Sequence, residues 1–232
     1  MPASILPGII EKAPVGKKGF DVNSQLSAIH ASNIKNAGYD FCIRYIPRKA
    51  SLIKGNITHQ EALDILNAGL ALMVVQHVDN PGWVASADLG KAYGAYAAEY
   101  AQEIVGLPPG VMIWLDLEEV SGSGGDQAII DYCNTWYEEV KNAGYEPGIY
   151  CGFGTQLSSI QLYQKLKFQH YWRAYNGPDV AVRGYQLLQK TQKLIDGFWI
   201  DPDETRDDNL GGKVQWLTLT TFNPVPIPPP VV

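Results

Sequence analysis

Two carboxylates lie two residues apart at the end of an apolar segment, a pattern suited to acid–base chemistry. The segment runs Ile113-Trp114-Leu115-Asp116-Leu117-Glu118-Glu119 and precedes a loop rich in Gly and Ser. Because alternate side chains of a strand share a face, Asp116 and Glu118 point the same way, whereas Glu119 points elsewhere or begins the loop. Two neighbouring carboxylates among aromatic side chains raise the pKa of one of them, so that it can act as an acid at neutral pH.

Two further aspartates end apolar segments near the two ends of the chain. Asp21 lies in the run GFDVN at 19–23, and Asp201 lies in WIDPD at 199–203. Either could instead cap a helix or turn, and Asp203 could be the inward-pointing residue. If the first and last strands are neighbours in a closed barrel, Asp21 and Asp201 lie side by side and face the other acids across its mouth. The candidate catalytic residues are therefore Glu118, Asp116, Asp21 and Asp201.

Aromatic and amide side chains recur at the other predicted strand ends. Ring faces stack on the C–H surface of a sugar, while amides and carboxylates bind its hydroxyls. Each such residue taken singly is more often part of a core, and it is their clustering that predicts a sugar-binding pocket. The candidate substrate-binding residues are Arg44, Tyr45, Gln76, Tyr150, Trp172, Tyr175 and Gln186.

A repeated unit of helix, glycine and strand indicates the architecture that would position these side chains. The phrase Asn-Ala-Gly occurs at 36–38, 67–69 and 142–144, each time after an amphipathic stretch and before an apolar run. Glycine readily takes the left-handed conformation that closes a last helical turn. A further helix at 91–104 ends at Leu-Pro-Pro-Gly instead of Asn-Ala-Gly. It supplies the additional helix–strand unit that the long interval between the second and third copies requires.

Eight apolar segments are predicted to be strands, and most of them alternate with helices. Such alternation fits a parallel sheet covered on its outside, and eight units close into an α/β barrel of the (β/α)8 TIM-like type, whose site lies at the C-terminal strand ends. The last three strands are too closely spaced for full helices between them, so the barrel should be irregular there. The predicted strands are 19–22, 40–46, 70–78, 111–117, 147–151, 170–175, 184–189 and 198–201.

Composition predicts one soluble domain and argues against nucleic acid. The chain has 232 residues, 46% of them apolar, and a net charge of −6, whereas a phosphate backbone is held by clustered cations. We expect an extension at 1–17, a barrel at 18–217 and a Pro-rich tail at 218–232, which could be a linker or could dock a protein partner. No membrane span and no classical signal peptide are expected, and we expect a monomer.

The sequence contains none of the motifs typical of nucleotide-binding proteins, serine hydrolases or zinc sites. No phosphate-binding Gly-rich motif and no Gly-x-Ser-x-Gly elbow is present, and the four histidines are not at ligand spacing, so we expect neither cofactor nor metal. A calcium site made only of oxygens at 203–208 stays open. The three cysteines, an odd number in apolar segments, are expected to be reduced.

The order of these motifs resembles the lysozyme-type glycoside hydrolases of family 25, and resembles more closely their sister group, a glycoside-hydrolase-like domain long listed as of unknown function. The likeness covers about 18–216 and is carried by GFDVN at 19–23, FCIRY at 41–45, WLDLE at 114–118 and GIY at 148–150. It implies an irregular barrel with a cleft for bacterial cell-wall glycan. By position, Glu118 resembles the general acid, Asp116 its partner that stabilises positive charge or orients the acetamido group, and Asp21 and Asp201 the flanking acids.

The leading hypothesis is a glycosidase that cleaves β-linked N-acetyl sugars of peptidoglycan without a cofactor, made in the cytoplasm and acting at the extracellular or periplasmic cell wall. One alternative is an inactive glycan-binding barrel that uses the same cleft. Another is a domain that is delivered by, or docked to, a partner through its Pro-rich tail.

Overall fold

The structure, a computed structural model, describes residues 2–220 as one closed barrel with helices on its outside. All eight predicted strands are present, with boundaries that shift by a few residues. Within 2–220, no helix combines the length and the apolar character that crossing a bilayer requires. The strands are β1 (Ile9–Lys12), β2 (Lys18–Val22), β3 (Phe41–Ile46), β4 (Ala71–Gln76), β5 (Met112–Leu117), β6 (Glu146–Cys151), β7 (His170–Arg173), β8 (Leu187–Gln189), β9 (Lys193–Ile195), β10 (Phe198–Thr205) and β11 (Gln215–Thr218).

The helices lie between the first parallel strands, as the repeated unit predicts. Gly38, Gly69 and Gly144 each take a positive φ just after a helix, which confirms the glycine stops. Helix α3 continues into a π-helical turn at Tyr100–Val105, and short 3₁₀ segments lie at Ala50–Leu52 and Gly122–Gly124. The helices are α1 (Ala28–Asn36), α2 (His59–Asn67), α3 (Ala87–Glu99), α4 (Gly125–Asn142) and α5 (Ser159–Lys165).

The barrel closes through one antiparallel strand. Strands β2 to β8 follow one another in parallel, and β4 pairs directly with β5. Strand β10 then runs antiparallel between β8 and β2, where a fully parallel sheet was expected. Only residues 190–197 separate β8 from β10, whereas a parallel crossover needs a dozen or more residues. This chain length explains the irregular end of the barrel and makes β10 enter the barrel from its mouth.

Side chains alternate between the barrel interior and the layer under the helices. Phe41, Trp114 and Trp172 fill the interior and are almost completely buried. Gly19 and Gly148 make room for two of these rings, since a Cβ at either position would lie 2.2–2.3 Å from Phe41 or Trp114. The interior is therefore a packed core below the mouth, as in other barrels of this type.

The first and last strands of the described residues pair at the closed end of the barrel. Strand β1, which lies in the predicted extension 1–17, pairs antiparallel with β11, and β11 pairs with β4. Trp216 of β11 is fully buried against Phe41 and closes the interior from below. The predicted tail begins at the last residue of β11, and from residue 221 onward it lies outside the described residues. Cys42, Cys133 and Cys151 are buried and free of disulfides.

Candidate active site

The pairing of β2 with β10 brings two of the four candidate acids side by side. In this register Asp201 lies opposite Asp21, and Asp203 lies opposite Gly19, two pairs deeper in the barrel. Because β10 descends from the mouth, Trp199, Asp201 and Asp203 follow one another along its inward face at a spacing of two residues. Both aspartates that the sequence offers as alternatives therefore point inward, Asp201 at the rim and Asp203 in the buried interior.

The other two acids lie across the mouth. Asp116 is buried on the inward face of β5, and Glu118 follows the end of that strand with its side chain partly exposed. Around the barrel, β5 is four strands away from β10, which is half of the circumference. Glu119 begins the loop with a φ of 51° and is exposed, so consecutive glutamates diverge. The Glu118 side chain packs against Gly152 of the next strand's loop, where a Cβ would lie 2.5 Å from Glu118 Cβ and Oε2.

Neutral hydrogen-bond donors hold the buried acids in place. Tyr45 donates its hydroxyl to Asp21 Oδ1 at 3.3 Å, and Gln189 donates its amide to Asp21 Oδ2 at 2.8 Å. Tyr150 in turn donates to Gln189 Oε1 at 2.8 Å, so a chain of hydrogen bonds crosses the interior from β6 to β2. On the floor, Trp172 Nε1 donates to Asp203 Oδ1 at 2.9 Å.

No cation neutralises this group of acids. Within residues 2–220, none of the Lys, Arg or His ion pairs within 4 Å includes Asp21, Asp116, Glu118, Asp201 or Asp203. Burial and repulsion between the carboxylates therefore dominate their titration. Burial, with added repulsion from Glu119 and Asp201, raises the pKa of Glu118 from 4.5 to about 7.

The deeper acids are shifted in the same direction. Burial first, and then the charge of Asp201, raises the pKa of Asp21 from 3.8 to about 8. Burial also raises the pKa of Asp116 and of Asp203 well above the usual aspartate value, with neighbouring carboxylates adding to the effect. At neutral pH Asp21 is therefore mostly protonated and Glu118 is about half protonated. Glu118 is partly open to solvent and can deliver its proton to a ligand.

An open cavity of about 330 Å³ lies on the Asp21 and Asp201 side of the mouth. Tyr45 forms part of its wall, and Trp199 stands at its rim with 58% of its surface exposed. An exposed indole beside carboxyl groups can stack on a sugar ring. The hairpin formed by β9 and β10 carries this side chain.

Three candidate substrate-binding residues point away from the mouth. Arg44 donates to Glu61 at 2.6 Å beneath helix α2, and Glu61 neutralises its charge in this buried ion pair. Gln76 accepts from Trp136 and donates to backbone carbonyls. Gln186 accepts from the Tyr171 backbone N–H and donates to Gln169 O in the same outer layer. Each lies one residue from an inward side chain, and strand alternation therefore turns it outward. We correct the expectation that these three line the cleft.

The remaining candidates divide between wall, floor and exterior. Tyr45 and Tyr150 lie in the mouth beside the acids, and Trp172 lies on the floor. Tyr175 follows β7 and is 66% exposed, and nothing places it against the acids. The residues considered for calcium do not converge, since Asp207 pairs with Lys213 and Asp208 with Arg183. Within 2–220, no cluster of three or more His, Cys, Asp or Glu could hold a metal ion.

Comparison with known sequences assigns the chain to a family. The Rv2525c-like, glycoside hydrolase-like domain matches residues 32–207, a span that includes the site from Tyr45 to Asp203. The chain belongs to this family. None of the curated proteins matches the sequence at a significant level. Membership places the acidic mouth within a glycoside-hydrolase-like barrel, in agreement with the resemblance in the motifs.

Solved structures support the same fold. The Tat-secreted protein Rv2525c of Mycobacterium tuberculosis, in complex with L-tartrate, is 18% identical with a TM-score of 0.65, over 86% of this chain and 99% of that one. A family 25 glycosyl hydrolase from Bacillus anthracis is 13% identical with a TM-score of 0.57, over 82% and 89%. The lysozyme of Streptomyces coelicolor is 16% identical with a TM-score of 0.55, over 82% and 92%. At these identities the comparison establishes the barrel fold that the family shares with lysozymes.

The site contains three residues that are missing from the candidate set. Gln189 links Tyr150 to Asp21, Trp199 forms the rim, and Gly152 packs beside Glu118. Strand alternation could have found Trp199, which lies two residues before Asp201 on the same face. Gly152 carries no comparable signal, because its role depends on the neighbouring strand.

Proposed function

We propose that this protein is a glycoside hydrolase that cleaves β-linked N-acetyl sugars of bacterial peptidoglycan by carboxylate acid catalysis. The observation that carries the proposal is Glu118, a partly exposed acid with a pKa of about 7 at the mouth of a glycoside-hydrolase-like barrel. A general acid works best when its pKa is close to the operating pH. Lysozymes and family 25 enzymes among the structural relatives favour cell-wall glycan as the substrate class.

In this mechanism Glu118 donates its proton to the leaving glycosidic oxygen. Asp116, whose Oδ1 has no hydrogen-bond partner within 2–220, accepts the acetamido N–H of the sugar and, in its ionised form, stabilises the positive charge that develops on the ring. A buried acceptor without a partner costs free energy, which the bound substituent would recover. Asp21 and Asp201 flank the reacting sugar from the opposite wall, and the chemistry uses no cofactor.

The proposed site of action is the cell wall, outside the cytoplasm. The substrate is found there, and one structural relative is described as a Tat-secreted protein. How this chain would reach the wall is a separate question from its chemistry, and the activity can be tested on isolated material.

The test is the release of reducing ends from purified peptidoglycan at about pH 6, where Glu118 holds its proton. Glu118→Gln should lower the rate at least about 100-fold, because general acid catalysis contributes a factor of that order. Binding to the same peptidoglycan should stay near the wild-type level, since the proton transfer is needed in the transition state. Glu119→Gln is the matched control, because Glu119 is exposed in the adjoining loop. It removes one of the charges that raise the pKa of Glu118, so it should keep most of its rate at pH 6 and lose activity at a slightly lower pH than wild type.

Two results would overturn the assignment. If wild-type protein binds peptidoglycan and releases no reducing ends, the barrel is a glycan-binding module. If Glu119→Gln removes activity and Glu118→Gln does not, the acid has been assigned to the wrong glutamate.

A further inference from the structure

We propose that a cation-lined pocket next to the acidic mouth binds a carboxylate carried by the glycan, either on the sugar itself or on an attached peptide. The inference rests on the proposed function and adds a substrate feature to it. The pocket has a volume of about 270 Å³ and is formed by the loop after β3 together with the residues after β4. Its lining residues are Pro47, Arg48, Leu52, Lys54, Asn56, His77 and Asn80.

The pocket shares a wall with the cavity that contains the acids. The rings of Tyr45 and His77 are in contact, with centroids 4.4 Å apart. Tyr45 lines the acid cavity and donates to Asp21, whereas His77 lines the cation pocket. A sugar bound beside Asp21 can therefore extend a substituent over this ring pair into the cation pocket.

The charges in the pocket suit an anion, in contrast to the rest of the mouth. Arg48 is held by Val78 O at 2.7 Å and by Asp79 Oδ1 at 2.6 Å, which offsets its charge, but its buried Nε has no hydrogen-bond partner within 2–220. Lys54 is exposed and, within the same residues, forms no ion pair with an acidic side chain. The pocket thus offers one cation, Lys54, that forms no ion pair among the described residues, beside the partly offset guanidinium of Arg48.

The neutral side chains complete a site for an acceptor group. His77 is mostly buried, and this burial together with the charges of Arg44 and Arg48 lowers its pKa to about 4, so at neutral pH it is uncharged and offers a single N–H. Asn56 is buried, and its amide is tied to Leu52 O. A carboxylate has oxygen acceptors for the Lys54 ammonium and the His77 N–H, and the neighbouring Arg48 guanidinium favours a negative charge in the pocket.

The test compares three soluble ligands by calorimetry on the full chain. They are neutral chitobiose, the disaccharide of N-acetylglucosamine and N-acetylmuramic acid with its free carboxylate, and that disaccharide with an Ala-Glu dipeptide on the muramic acid. At least one charged ligand should bind about fivefold tighter than chitobiose, the size of one partly exposed charge contact. The ligand that shows this preference identifies where the carboxylate sits.

Lys54→Met should remove the preference and leave chitobiose binding unchanged. Lys49→Met is the matched control, because it makes the same charge change in the same loop and Lys49 does not line the pocket, so it should keep the preference. The inference fails if wild-type protein binds all three ligands equally, if it binds none of them, or if both variants behave alike. If the preference for a carboxylate holds while no reducing ends are released from peptidoglycan, the inference stands and the proposed catalysis fails.

Discussion

Replacing Asp21 by Asn should stabilise the protein at high pH and destabilise it slightly at low pH. Asp21 is buried beside Asp201 and Asp203, and its pKa rises from 3.8 to about 8 on folding. The folded state therefore binds more protons than the unfolded state between about pH 4 and pH 8. Since stability falls with pH wherever the native state holds the extra proton, Asp21 costs stability progressively through this window, and the full cost applies above pH 8.

The size of the effect follows from the shift. Each pKa unit corresponds to about 1.4 kcal/mol, so a shift of about four units sets a ceiling of roughly 6 kcal/mol above pH 8. The Asn oxygen can accept from Gln189 as the carboxyl does, but the amide nitrogen needs an acceptor, and an imperfect match with Asp203 costs about 1–3 kcal/mol. Subtracting this cost leaves an expected net gain of about 3–5 kcal/mol at pH 8.5, roughly 6–20 °C in Tm.

The assay is thermal or urea unfolding of wild type and Asp21→Asn at about pH 4 and pH 8.5. Wild-type stability should fall between the two pH values, and the variant should lose less. Equal gains at both pH values would point to a packing effect. A loss at pH 8.5 would refute the argument that the buried, unpaired carboxylate is costly.

Three further predictions concern activity on peptidoglycan. The rate should fall as pH rises through about 7, the pKa of Glu118, because the acid loses its proton; a pH–rate profile that stays flat up to about pH 9 would contradict this. Gly152→Ala should lower the rate about tenfold or more with little change in wall binding, because a Cβ there displaces Glu118; a circular dichroism spectrum like that of wild type would show that the fold is kept. Trp199→Ala should weaken binding of chitin oligosaccharides by about threefold to tenfold, the size of one lost ring contact, whereas unchanged affinity would remove the indole from the sugar site.

The barrel could be predicted because its strands are apolar on both faces. Segments such as 70–78 and 111–117 read as nearly continuous apolar runs between helices with glycine stops, which is how strands covered on both sides appear. The direction of β10 could not be read in this way, because an apolar run has the same pattern in either direction. Only the short connection 190–197 restricts the direction of β10. That connection also contains the short strand β9, which no hydrophobic pattern in the sequence indicates.

Strand alternation separates the candidate residues that face the mouth from those that lie under the helices. Because alternate residues of a strand share a face, Asp116 groups with Glu118, and Asp201 groups with Trp199 and Asp203. Applied to 41–45, the same rule allows Tyr45 or Arg44 to face the mouth, and the candidate set contained both. Contacts between distant segments, such as Gln189 with Asp21, depend on barrel closure and have no local signal.

The two faces of β3 explain why the mouth remains acidic. Arg44 points outward, and Glu61 compensates its charge at 2.6 Å in the layer under the helices. The next residue, Tyr45, points inward and gives Asp21 only a neutral hydroxyl. Because strand alternation turns Arg44 away from the mouth, desolvation and mutual repulsion raise the pKa values of the buried carboxyls. An inward cation would stabilise the fold, but it would also lower the pKa of the acids and remove the proton donor that the proposed catalysis requires.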